Sequence, residues 1–148
     1  GCQGLLNMPQ ILVVDSWLDM SNCKRVNRLP FVLDVSGYIS LWGCSDISRL
    51  PEKLEVGGSL DLDQCIRLRA LPDGLSVSGS LWLGQCTGIR NLPDRLKVDG
   101  YLGLTGCANL TSLPEDMIVG IDVILEGCDK LVYKEPHCGV EGKIVRRS

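Results

Sequence analysis

Apolar and polar residues alternate over short stretches that recur through the whole chain. In residues 54–62, leucine or valine stands at every second place except one, which a glycine occupies. Such period-two alternation is typical of an extended strand with one buried side. No part of the chain shows the 3.6-residue period of a helix over a useful length. We therefore expect strands whose return segments are extended or form one short 3₁₀ turn.

The alternating stretch returns every 21 residues, and prolines, valines and glycines keep the same interval as the cysteines. A fixed period of this length indicates a solenoid, in which each repeat is one coil stacked on the last. We predict a single solenoid over residues 1–148, with about seven coils and one parallel strand per coil. The glycine column, which includes Gly58 and Gly79, replaces an inward side chain, so a bend or a close backbone approach is expected there. The chain starts within a repeat and the coil around Pro136 and Cys138 is degenerate, so we expect a fragment of a longer protein.

One repeat ends in the motif L-x-L-x-x-C-x-x-L-x-x-L-P, as in LDLDQCIRLRALP at residues 60–72. This motif resembles the leucine-rich repeats of plant intracellular immune receptors, while the short period and the L-P opening resemble the bacterial repeats of secreted effectors. The V-x-G segment before the motif departs from both. The resemblance implies an α/β horseshoe solenoid with little or no α-helix and strands that line a concave binding face. It also implies that the cysteine column hydrogen-bonds unpaired backbone at the turn; its members are Cys23, Cys44, Cys65, Cys86, Cys107 and Cys128.

The spacing of the cysteines favours a structural role over a metal site. Thiols in a straight row about 4.8 Å apart do not surround an ion, and the chain has no C-x-x-C pair. Disulfides between stacked neighbours are disfavoured, because parallel side chains hold their Cβ atoms farther apart than the roughly 3.8 Å of a bridge. We expect a reduced, metal-free column, no cofactor and a cytoplasmic, reducing location, with the host cytosol after secretion as an alternative.

Charge and composition narrow the classes of function. A net charge of −3 argues against nucleic acid or an anionic membrane as the main partner. The tripeptide CSD at residues 44–46 matches the C-x-D motif of effector ubiquitin ligases, but that motif belongs to a separate helical domain that this chain lacks. His137 is the single histidine, and no Ser/His/Asp or Cys/His set can be assembled. We expect the chain not to be an enzyme.

The positions six, four and two residues before each cysteine point outward and vary most between repeats. Over six coils they hold all three tryptophans, two of the three tyrosines and five carboxylates, but no lysine or arginine. Aromatic residues suit exposed strands in general, but that preference leaves the segregation of charge unexplained. Aromatic residues mixed with small polar ones are typical of recognition surfaces. The predicted partner-binding residues are Trp17, Asp19, Tyr38, Trp42, Asp61, Asp63, Trp82, Tyr101, Asp122 and Glu126.

This surface predicts a protein–protein interaction module. Its partner is expected to be a protein with a basic or mixed surface, anchored by the aromatic residues and steered by the acids. A glycan is the weaker alternative ligand. Two alternative roles remain open: the substrate-recognition half of a secreted bacterial ubiquitin-ligase effector, and a purely structural spacer.

Overall fold

The computed structural model describes Cys2, residues 8–133 and residues 139–146. Pro136, His137 and Cys138 lie outside the described residues. Within these ranges the chain forms thirteen short parallel strands and no helix; accordingly, none of the described segments is a helix that could span a bilayer. A parallel β-solenoid with 21-residue coils is therefore confirmed.

Each of the first six coils contributes one strand to each of two sheets, and the seventh contributes β13 (Ile144–Val145) to the second. The first sheet contains β1 (Ile11–Val14), β3 (Val32–Val35), β5 (Lys53–Val56), β7 (Ser76–Val77), β9 (Lys97–Val98) and β11 (Ile118–Val119). The second contains β2 (Leu18–Asp19), β4 (Ile39–Ser40), β6 (Leu60–Asp61), β8 (Leu81–Trp82), β10 (Leu102–Gly103), β12 (Val123–Ile124) and β13 (Ile144–Val145). Strand partners are 21 residues apart, as where Leu60 pairs with Ile39 and Leu81. The prediction of one strand per coil was wrong, because the alternating stretch bends in its middle.

The bend lies at the glycine column. The Gly58 N–H donates to the Gly37 carbonyl at 2.9 Å, and the Gly79 N–H donates to the Gly58 carbonyl at 3.0 Å. A Cβ on Gly58 would lie 2.9 Å from both the Gly37 carbonyl carbon and the Tyr38 nitrogen. Successive coils thus approach too closely at this corner for a side chain. The predicted bend and close approach at this column are both confirmed.

The core runs along the axis between the two sheets and the return segments. Val56 and Leu60 stand on either side of the bend and both are buried. Each fully buried leucine contributes about 1.5–3 kcal/mol relative to an exposed one. The leucines predicted to lie inside the second sheet are all fully buried, namely Leu60, Leu62, Leu81, Leu83, Leu102 and Leu104.

The return segments after the cysteines form a third side. Isolated parallel bridges join Arg49 to Ala70 and Asn91 to Ser112. Each return segment begins with a single turn closed by an i→i+3 bond, as from the Leu68 N–H to the Cys65 carbonyl at 3.0 Å. It then continues as extended chain, and no longer 3₁₀ helix occurs among the described residues of this side.

Candidate functional site

The outer surface of the second sheet brings the predicted partner-binding residues together. Because Leu60 and Leu62 are buried, Ser59, Asp61 and Asp63 face the other way. Backbone bonds hold adjacent coils in register, with the Leu60 N–H on the Ser80 carbonyl at 2.9 Å and the Leu62 N–H on the Trp82 carbonyl at 2.8 Å. We call this surface the acidic aromatic face; it consists of Trp17, Asp19, Tyr38, Trp42, Asp61, Asp63, Trp82, Tyr101, Asp122 and Glu126.

Four of the five aromatic side chains on this face form stacked pairs. The Trp17 and Tyr38 ring centroids lie 6.4 Å apart with an interplanar angle of 3°. The Trp82 and Tyr101 centroids lie 6.2 Å apart at 19°. A Cβ on Gly103 would overlap an indole carbon of Trp82, so this glycine leaves the room that the ring occupies. Rings held in this way lose less conformational entropy when a partner binds.

The acids of the face have a structural role that the sequence analysis missed. Asp19 Oδ1 accepts the Ser21 N–H at 2.9 Å, and Asp61 Oδ1 accepts the Asp63 N–H at 3.0 Å. Other carboxylates bridge successive coils: Asp63 accepts the Gly84 N–H, and Asp122 accepts the Lys143 N–H at 2.7 Å. Short Asp side chains at turns commonly cap backbone N–H groups, and their positions at strand ends signalled this role. Each of these bonds involves one carboxylate oxygen, Oδ1.

The pKa values of Asp19 and Asp61 are shifted in opposite directions. Hydrogen bonds from Ser21 lower the pKa of Asp19. Burial raises the pKa of Asp61; the hydrogen bond from the Asp63 N–H partly offsets this, and the charges of Asp63 and Asp19 raise the pKa further. The ionised form of Asp61 therefore lowers the stability of the folded protein. A positive charge placed beside it would offset that cost.

The separation of charge ends at the seventh coil. Lys143 occupies the same outward column as Asp122, and its backbone N–H bonds that carboxylate. The absence of bases from the outward positions thus holds for the first six coils and not for the last one described.

The cysteine column joins neighbouring coils through hydrogen bonds. Each thiol donates to a backbone carbonyl 24 residues earlier: Cys65 to Leu41 at 3.2 Å, and Cys86 to Leu62 at 3.0 Å. The Leu62 carbonyl also accepts the Cys65 N–H at 3.0 Å, so one oxygen serves two coils. The free, buried members are Cys44, Cys65, Cys86, Cys107 and Cys128.

Burial favours the neutral form of these thiols. Burial raises the pKa of Cys65 and Cys107 to about 12, so both remain protonated at neutral pH and act as donors. No group of three or more His, Cys, Asp or Glu side chains among the described residues is arranged to hold a metal ion.

Cys2 lies one repeat before Cys23, and this pair departs from the prediction. Cys2 and Cys23 form a disulfide with their Cα atoms 5.1 Å apart. The expectation that consecutive members stay unbridged was wrong here, because stacked coils bring Cα atoms within the roughly 4.4–6.8 Å that a bridge accepts.

Comparison with protein-family models, curated proteins and solved structures finds no match to this chain. Its function is therefore inferred from the surfaces of the molecule alone.

Proposed function

We propose that this chain is a non-enzymatic recognition module that binds a protein with a basic or mixed surface on its acidic aromatic face. The observation that carries the proposal is Asp61, a half-buried carboxylate with a raised pKa on a face that also carries exposed aromatic side chains. Its ionised form weakens the fold, whereas a guanidinium or ammonium group from a partner would be attracted to it. Binding would thus offset the destabilisation that ionised Asp61 causes in the free protein.

The neighbours of Asp61 suit a cationic side chain. Asp61 lies directly between Ser40 and Trp82 in the register of the second sheet. Ser40 is small, and Trp42 follows it by two residues on the same side of that coil, 37% exposed. An arginine or lysine that reaches Asp61 would lie near the two indoles, and a cation over an indole gains about 0.5–2 kcal/mol. Aromatic anchors and a partly desolvated acid would then act on one partner group.

The leucine-rich repeat assignment and the cytoplasmic location belong to the same proposal. Thiol-to-carbonyl bonds along the cysteine column support a leucine-rich repeat, although coils with two strands are equally consistent with a β-helix. Five free buried thiols support a reducing compartment. The Cys2–Cys23 disulfide argues in the opposite direction.

A selection from displayed random peptides tests the proposed face. We expect enriched peptides to carry arginine or lysine next to an apolar residue. The best peptide is then titrated against the wild type, Trp42→Ala and Asp61→Asn. Trp42→Ala should weaken binding by about 30-fold, which corresponds to the 2 kcal/mol of an anchor residue. Asp61→Asn keeps an acceptor for the Asp63 N–H, so its weaker binding would report the lost charge.

Phe31→Ala is the matched control, because Phe31 is an aromatic residue that is 57% exposed and precedes β3 of the first sheet. It should bind the peptide as the wild type does. Equal affinity of all four proteins, or a selection that enriches no basic peptide, would leave the face a plain scaffold surface and refute the proposal.

A further inference from the structure

A groove of about 1110 Å³ crosses the third side of the solenoid, on the return segments that follow the cysteines. It is separate from the acidic aromatic face. Polar groups on its lining include Arg69, Arg90 and Asn91, and apolar ones include Ile66 and Pro93. Ile66 is 50% exposed, so its side chain is open to contact with a ligand. The groove thus combines cationic and apolar contacts.

Arg69 and Arg90 occupy the same column in adjacent coils. Arg67, on the same lining, pairs with Asp46 at 3.0 Å, whereas neither Arg69 nor Arg90 forms an ion pair with any described residue. Both arginines are exposed, so their positive charges are presented to solvent on the same stretch of the return side. The other coils carry uncharged residues in this column, namely Asn27, Ser48, Thr111 and Val132.

The backbone ladder is interrupted at the same place. The Arg69 N–H bonds the Ser48 carbonyl at 3.1 Å, and the Thr111 N–H bonds the Arg90 carbonyl at 2.9 Å. Among these described residues no such bond joins the Arg90 N–H to the Arg69 carbonyl. The bond is also missing between Asn27 and Ser48, where neither side chain is charged. The lining therefore offers the Arg90 backbone N–H as a donor in addition to the guanidinium groups of Arg69 and Arg90.

We propose that this groove binds an acidic peptide segment. Carboxylates of the peptide would pair with Arg69 and Arg90 and accept the Arg90 N–H, while an apolar side chain would pack on Ile66 and Pro93. The lining carries three arginines against two aspartates, Asp46 and Asp73, so its net charge is only +1. Its described residues include no aromatic ring on which a base would stack. Both features favour a peptide that mixes acids with apolar residues over a nucleic acid.

A fluorescence titration with a labelled peptide of about a dozen Asp, Glu and Leu residues tests the groove. The same peptide with Asn and Gln in place of its acids is the neutral probe. The double variant Arg69→Gln, Arg90→Gln should weaken binding of the acidic peptide by about tenfold or more. The double variant Lys24→Gln, Arg25→Gln removes the same charge from exposed residues outside the groove and should bind like the wild type.

Ile66→Ser distinguishes the class of ligand. It should weaken the acidic peptide several-fold and leave the weak binding of a single-stranded RNA unchanged. Equal losses in both double variants, or equal binding of the neutral peptide, would overturn the site. An RNA that binds more tightly than the peptide and depends on Arg69 and Arg90 would overturn the peptide as its ligand. None of these results depends on Trp42 or Asp61, so the groove and the acidic aromatic face are tested independently.

Discussion

Replacing Cys107 by alanine tests the role of the cysteine column directly. Cys107 is fully buried, and its thiol donates to the Leu83 carbonyl at 3.0 Å. The substitution removes one bond between adjacent coils and one buried sulfur atom, and it leaves the backbone unchanged. Thr105→Ala is the matched control, since Thr105 is an exposed residue of the same coil.

The expected loss of stability is about 2 kcal/mol. The hydrogen bond contributes about 1 kcal/mol, burial of an atom the size of a methylene about 0.8 kcal/mol, and the space left behind adds a few tenths. The Leu83 carbonyl still accepts the Cys86 N–H at 3.1 Å, so no buried acceptor is left without a partner. For a chain of this size the loss lowers Tm by about 4–8 °C.

The loss should depend on pH in a defined direction. Burial raises the pKa of Cys107 from 9.0 to about 12. A raised folded pKa means that the thiol contributes its full stability below pH 9, and that this contribution declines as the pH rises towards about 12. The difference between wild type and Cys107→Ala should therefore be largest at about pH 8 and shrink above pH 9.

Denaturant unfolding followed by circular dichroism, with a reductant present, measures both effects. Thr105→Ala should change stability by no more than about 0.5 kcal/mol. If Cys107→Ala costs no more than this control, or if its cost is the same on both sides of pH 9, the thiol bond does not hold the coils together in the way described.

Four further substitutions test the core, the bend and the face. Leu83→Asp places a carboxylate at a fully buried position and should unfold the chain; a circular dichroism melt like that of the wild type would refute the register. Gly79→Ala should cost about 2–3 kcal/mol because its Cβ would lie 2.7 Å from the Ser59 nitrogen. Gly74→Ala has open space but a φ of +68° and should cost about 1 kcal/mol; equal losses in the two alanine variants would contradict the close approach. Asp61→Asn should raise Tm at about pH 7, because a raised pKa means that ionised Asp61 destabilises the fold. The gain should disappear below the ordinary aspartate pKa of 3.8, where Asp61 is protonated in both the folded and the unfolded protein. A lower Tm at about pH 7 would show that the charge stabilises the fold.

The cross-strand register followed from the sequence alone. When every coil has the same length, stacking places residues 21 apart opposite each other, so Leu60 meets Leu81 whatever the shape of the coil. Period-two alternation then decides which residues are buried. It also places the ten outward residues of the acidic aromatic face on one surface. Their role in binding a partner stays a prediction.

The glycine column predicted a bend or a close approach, but the division of each coil between two sheets and the groove required the tertiary structure. Val56 and Leu60 point inward whether the chain between them is straight or bent, so the alternation carries no sign of the corner. A straight strand over residues 54–62 would run for about 30 Å at 3.3 Å per residue. A coil of 21 residues must instead return to a point one strand spacing above its start, and closure over so few residues requires corners. The positions of those corners depend on contacts between coils, such as the approach of Gly58 to Gly37, and period-two alternation carries no information on those contacts.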